Sequence, residues 1–168
     1  MKILSWNISG LNGHSKQKLL RDLILVEKPD IMMLQETKCT TEDMDRLLPY
    51  CWKKRKEVSI VAMGTAGGLA ILWNPSTTIM ETFIMTKWSI MITYRLIDSN
   101  KPGHLSNVYK LASTREKQAF LRNMEYLSTL TKENKLIVGG DFNLIHNLDE
   151  KKEELSAWNK NPTIFKIL

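Results

Sequence analysis

Cysteine and histidine are scarce, with two of the first and three of the second in 168 residues. Cys39 and Cys51 have no further cysteine or histidine around them at zinc-ligand spacing. That argues against a zinc motif, and the two read as free thiols of a reducing, intracellular setting. Long apolar runs are missing too. None reaches the ~18 residues that a membrane helix requires, so no membrane partner is expected. The opening MKILSWNISG carries one lysine and turns polar at Trp6-Asn7, which is not the pattern of a secretory signal. The protein is expected inside the cell, with nucleus and cytoplasm both open, and not secreted. No internal repeat, low-complexity tract or Gly/Ser linker divides the chain, which predicts one domain over residues 1–168.

What is present is an ordinary globular balance of 43% hydrophobic and 25% charged residues. Net charge is +6, an excess that permits a polyanionic partner without requiring one. The densest basic run, Lys53-Lys54-Arg55-Lys56, follows Trp52. It has two readings, a solvated loop between strands or a set of phosphate contacts for nucleic acid.

Along the chain, Lys2 to Trp6 reads as a strand. Lys16 to Glu27 reads as a helix, with Leu19, Leu20, Leu23 and Ile24 at helical spacing and Pro29 closing it. Ile31-Met32-Met33-Leu34 is a continuous apolar strand, giving a βαβ unit whose second strand is buried on both faces. Thr41 to Leu48 reads as a short helix capped by Thr40 or Thr41. Strand-like runs follow at Val58 to Met63, Leu69 to Trp73, Thr78 to Met85, Ser89 to Leu96 and His104 to Tyr109, separated by turn residues. Ser113-Thr114-Arg115-Glu116 has the form of a capping box. The helix it opens carries Phe120, Leu121, Met124, Leu127 and Leu130 on one side. Lys135 to Val138 is a further buried strand. The chain is α/β with mixed strand directions.

Three strand ends are polar: Trp6-Asn7, Gln35-Glu36-Thr37 and Asp141-Phe142-Asn143. Open α/β sheets place their sites at such carboxyl ends. An amide and two carboxyl groups gathered at one rim would suit a hard cation such as magnesium. Spacing alone leaves open whether the three segments meet.

Ser5-Trp6-Asn7-Ile8-Ser9-Gly10-Leu11, Leu34-Gln35-Glu36-Thr37-Lys38 and Gly139-Gly140-Asp141-Phe142-Asn143 resemble the three N-terminal motifs of the endonuclease/exonuclease/phosphatase superfamily. The resemblance runs from residue 3 to about residue 150 and implies a two-sheet α/β sandwich of the DNase I-like type. Gly67-Gly68-Leu69-Ala70-Ile71-Leu72-Trp73, Asp141-Phe142-Asn143-Leu144-Ile145 and Asp149-Glu150-Lys151 resemble the endonuclease domains of plant LINE-type retrotransposons. Ser9 fits that branch, since apurinic-site enzymes usually carry aspartate there.

The resemblance implies magnesium-dependent phosphodiester hydrolysis of nucleic acid, DNA in particular, with manganese as a substitute ion and no obligate protein partner. By it, Glu36 is the principal metal ligand and Asn7 stands beside it. Asp141 orients or deprotonates the attacking water, Asn143 bonds the scissile phosphate, and Tyr109 contacts the phosphate in the transition state. Leu111 stands where the family usually has proline. His146 follows the third motif where the family has no catalytic histidine, and it reads as a loop residue.

The family's late Ser-Asp-His triplet does not occur in these residues. The expectation is therefore a sandwich lacking its C-terminal third and inactive as it stands. The alternative is a degenerate, non-catalytic relic or weak nucleic-acid-binding module, with a phosphatase of the same superfamily as a further reading.

Overall fold

The computed structural model describes residues 1–62, 67–109, 116–131, 136–142 and 163–166. In chain order the elements are β1 (Lys2–Asn7), α1 (His14–Glu27), β2 (Ile31–Gln35), α2 (Thr41–Cys51), β3 (Lys56–Ile60), β4 (Leu69–Trp73), β5 (Thr78–Met85), β6 (Ser89–Leu96), β7 (Pro102–Tyr109), α3 (Lys117–Thr129), β8 (Leu136–Asp141) and β9 (Thr163–Lys166). The strands form two sheets, ordered β3-β4-β2-β1-β9 and β5-β6-β7-β8. Two pairings are parallel, β1 with β2 and β7 with β8, and the others are antiparallel.

Strand alternation sorts the core into two layers. Leu4, Trp6, Met32, Leu34 and Leu72 pack against Leu20 and Ile24 of α1 and Met44 and Leu48 of α2. Ile3, Ile31, Met33 and Ile71 face the other way and meet Ile90, Ile92 and Leu105 of the second sheet. Strands β1 and β2 thus bury both faces, which explains the unbroken apolar run of β2 and the near-continuous one of β1, interrupted by Ser5. Each such side chain contributes about 1.5–3 kcal/mol by leaving water. The third helix lies on the outer side of the second sheet, where its Phe120 meets Trp88 edge-on.

Several expectations need correction. Helix α2 does not stop at Leu48 but runs through Pro49 to Cys51. Proline there forfeits one helical hydrogen bond. The turn still closes, because Leu47, Leu48 and Cys51 are buried and the Trp52 N–H reaches the Leu48 carbonyl. Strand β3 begins at Lys56 rather than Val58, since Lys56 already pairs with Trp73. It ends at Ile60, short of the expected Met63, which itself lies outside the described residues. In α1, Leu20 and Ile24 are buried but Leu19 is 56% exposed. In α3, Phe120 and Leu127 face the core while Leu121 and Leu130 are exposed. Residues 113–115 of the expected capping box are outside the described set. Glu116 itself makes no cap bond, and its carboxylate accepts from the Trp88 indole instead. The strand Thr163–Lys166 is one that the sequence did not announce.

Candidate active site at the shared rim of the two sheets

The site grows out of strand alternation. In β1, Ile3 and Ser5 face the second sheet, so Asn7 ends on that side. In β7, Leu105 and Asn107 face inward and lead to Tyr109. In β8, Ile137 and Gly139 lead to Asp141, the register partner of Tyr109. Three polar groups thereby reach the gap between the sheets at one rim.

Glu36 breaks the pattern. Gln35 faces inward, so the next residue should point toward the helices. Instead Glu36 adopts φ 52°, and its carboxylate turns back to the rim. Ser9 and Lys38 share this left-handed backbone, at φ 49° and φ 52°. Such conformations are costly outside glycine and persist only where surrounding bonds dictate them. Here they do. The N–H groups of Gly10 and Leu11 reach the carbonyls of Glu36 and Thr37 at 2.7 and 2.9 Å. The N–H groups of Thr37 and Lys38 reach those of Gly68 and Gly67 at 3.2 and 3.1 Å. Gly68 has φ +91°, and a Cβ on it would lie 2.3 Å from the Thr37 hydroxyl. Only glycine fits.

Four of the expected site residues converge. The Asn7 side-chain amide donates to the Asp141 carboxylate at 2.7 Å and to that of Glu36 at 3.3 Å. Its own carbonyl accepts from the Ser9 N–H at 3.1 Å, which fixes the amide's orientation. Lys38 pairs with Glu36 at 3.2 Å. The pKa of Tyr109 is pushed well up, first by burial and then by the nearby Glu36 and Asp141 charges. Tyr109 therefore remains a proton donor at neutral pH. Asn143 lies outside the described residues, as do Leu111 and His146.

The basic run is elsewhere. Lys56 pairs with Trp73, and Trp73 pairs with Ile31 at the start of β2, so Lys53, Lys54, Arg55 and Lys56 sit at the opposite end of the sheet from Glu36. Arg55 is drawn into an ion pair with Glu57 at 2.5 Å and its side chain is only 10% exposed. The three lysines are exposed.

Sequence reasoning gave no role to Gln35 and Asn107, both buried. The Gln35 amide donates to the Asn107 side-chain carbonyl at 2.6 Å, and Asn107 donates to the main-chain carbonyls of Leu34 and Ala70. The available signal was a carboxamide at an inward position of an apolar strand.

Among the described residues no cluster of three or more His, Cys, Asp and Glu side chains could hold a metal. The donor set suits a sparser arrangement. The two carboxylates are hard oxygen groups, with the Asn7 amide donating to both, and magnesium is commonly held by one or two carboxylates, with water and substrate oxygens completing its shell.

A profile of the Endonuclease/Exonuclease/phosphatase family matches residues 4–163, and the chain belongs to that family. Recombination repair protein 1 of Drosophila melanogaster is 48% identical over 44 residues, 26% of this chain and 6% of that protein. An exodeoxyribonuclease of Streptococcus pneumoniae is 25% identical over 181 residues, 88% of this chain and 63% of that protein. The chain thus spans less than two thirds of either relative. A 3′ phosphatase of Neisseria, solved bound to a product DNA hairpin, superposes with TM-score 0.70 at 20% identity, covering 92% of this chain and 64% of the other. The architecture is the α/β sandwich of this family. No helix among the described residues is long and apolar enough to cross a membrane.

Proposed function

We propose that the chain carries the metal-holding part of a nucleic-acid phosphodiesterase site, of the LINE-type retrotransposon endonuclease branch. The observation behind this reading is the Asn7 amide shared between the carboxylates of Glu36 and Asp141, which come from different sheets. Glu36, with Asn7 beside it, would hold a divalent ion, magnesium or manganese. When bound, that ion would neutralise charge developing on the phosphoryl oxygens. Asp141 would accept a proton from the attacking water. Tyr109 would donate a hydrogen bond to a non-bridging oxygen, a role its raised pKa suits. Asn143 would add a further donor. The exodeoxyribonuclease relative and the DNA-bound neighbour favour DNA as the substrate.

The absence of Ser-Asp-His favours a site that binds without turnover in these 168 residues. Removing one member of a catalytic unit typically lowers the rate by orders of magnitude. Two measurements test the reading. Calorimetry should find one divalent-ion site whose affinity falls at least tenfold in Glu36→Gln, and an unchanged isotherm would defeat the metal assignment. Supercoiled plasmid with magnesium should remain un-nicked. If wild type nicks while Glu36→Ala and Asp141→Ala do not, the rim alone suffices for hydrolysis and the inactive reading is wrong.

A further inference from the structure

The two halves of the rim belong to sheets that share no backbone ladder. Glu36 and Asn7 stand on the first sheet, Tyr109 and Asp141 on the second. Between the sheets lie mainly aliphatic side chains, whose attraction is non-directional and resists sliding only weakly. A site held to roughly half an ångström needs something directional. We propose that Asn107, with Gln35, is the positioning residue that sets the two halves in register; its bearing on catalysis rests on the function proposed above.

Asn107 is completely buried. Its amide nitrogen donates to Leu34 at 3.0 Å and to Ala70 at 2.9 Å. Those residues are register partners on β2 and β4, so one side chain of the second sheet grips one rung of the first. Its oxygen accepts from Gln35 at 2.6 Å, and Gln35 also reaches the Ser5 hydroxyl on β1 at 3.2 Å. The amide thus ties β7 to β2 and β4 directly and to β1 through Gln35.

Its place in the chain links this grip to the rim. Gln35 immediately precedes Glu36. Asn107 is one inward position below Tyr109 and is paired with Gly139, itself one inward position below Asp141. A slip of one residue would move a strand by about 3.3 Å and break every bond of the bridge. An apolar pair of similar shape would fill the space at little energetic difference. A polar bridge adds direction, which is what the rim requires.

The test uses the whole chain with Asn107→Ala, Gln35→Met and a control, Leu105→Ala, which removes an inward apolar side chain from the same strand. The first readout needs no metal: the NMR signals of the Asn7 side-chain amide, which bonds both carboxylates. The second is Mn2+ affinity from the ion's EPR signal. Asn107→Ala and Gln35→Met should move the Asn7 amide toward its solvent-exposed position and weaken Mn2+ at least tenfold. Leu105→Ala should lower stability while leaving both readouts near wild type. If Asn107→Ala fails to fold, Gln35→Met decides, because it keeps the two bonds to Leu34 and Ala70. An unmoved Asn7 amide in the bridge variants, or an equal effect in the control, overturns the proposal. If the amide moves as expected but Glu36→Gln binds Mn2+ like wild type, the bridge stands and the metal reading falls.

Discussion

Ser9, Glu36 and Lys38 hold positive φ within two loops that meet at the rim. Each non-glycine residue so held costs about 1–2 kcal/mol. For Glu36 that cost turns a carboxylate inward. For Ser9 the side chain gives no comparable return, since only its N–H is engaged, by Asn7. Ser9→Asn, which tolerates this conformation better, should raise stability by about 0.5–1 kcal/mol. A lowered urea midpoint would show that the hydroxyl has a structural role of its own. The same residues mark a limit of sequence reading. Asn7, Tyr109 and Asp141 follow from alternation along their strands, but alternation sends Glu36 outward, and its motif alone announced it. The reversal depends on Gly67 and Gly68, 31 and 32 positions further along.

At the scale of elements, α3 steadies one side of the rim. Phe120 stands edge-on to Trp88 and to Phe142, the residue after Asp141, with ring centroids 6.3 and 6.2 Å apart. Phe120→Ala should cost about 3–5 kcal/mol in urea unfolding, the usual loss for a fully buried ring. A loss under 1 kcal/mol would mean the helix is only loosely seated. Strands β4, β5 and β6 have the bounds the sequence predicts; Gly67-Gly68 and Asn74-Pro75 fence β4, while Thr86-Lys87-Trp88 joins β5 to β6 without Gly, Pro or Asn. The sequence was less legible where tertiary packing overrode local signals. Pro49 reads as a helix stop, yet burial of Leu48 and Cys51 carries α2 past it. On α3, helical spacing groups five apolar residues, but the sheet covers a narrower stripe, and Leu121 stays outside. Strand β9 is only four residues long, directly after Asn161-Pro162, and its partner β1 is at the other end of the sequence.

At the scale of the whole molecule, the densest basic run and the site are separated. The exposed lysines 53, 54 and 56 lie at the far end of the first sheet, so a polyanion would need to cross the sandwich to meet both. DNA affinity should be weak and should fall steeply with salt, since each phosphate contact releases counterions. Reversing the three lysines to glutamate takes the net charge from +6 to zero. That triple variant should weaken DNA several-fold in a gel-shift titration and leave divalent-ion affinity intact. Unchanged DNA affinity would assign the run to plain solvation. The separation in sequence has its own consequence. Asn7 and Asp141, joined at 2.7 Å, are 134 positions apart. A ribosome releases the first carboxylate of the rim long before the second, and loops this long close late in folding. The growing chain therefore carries Glu36 through 105 further positions before Asp141 exists to complete the rim. The rim can form only once β8 has docked beside β7.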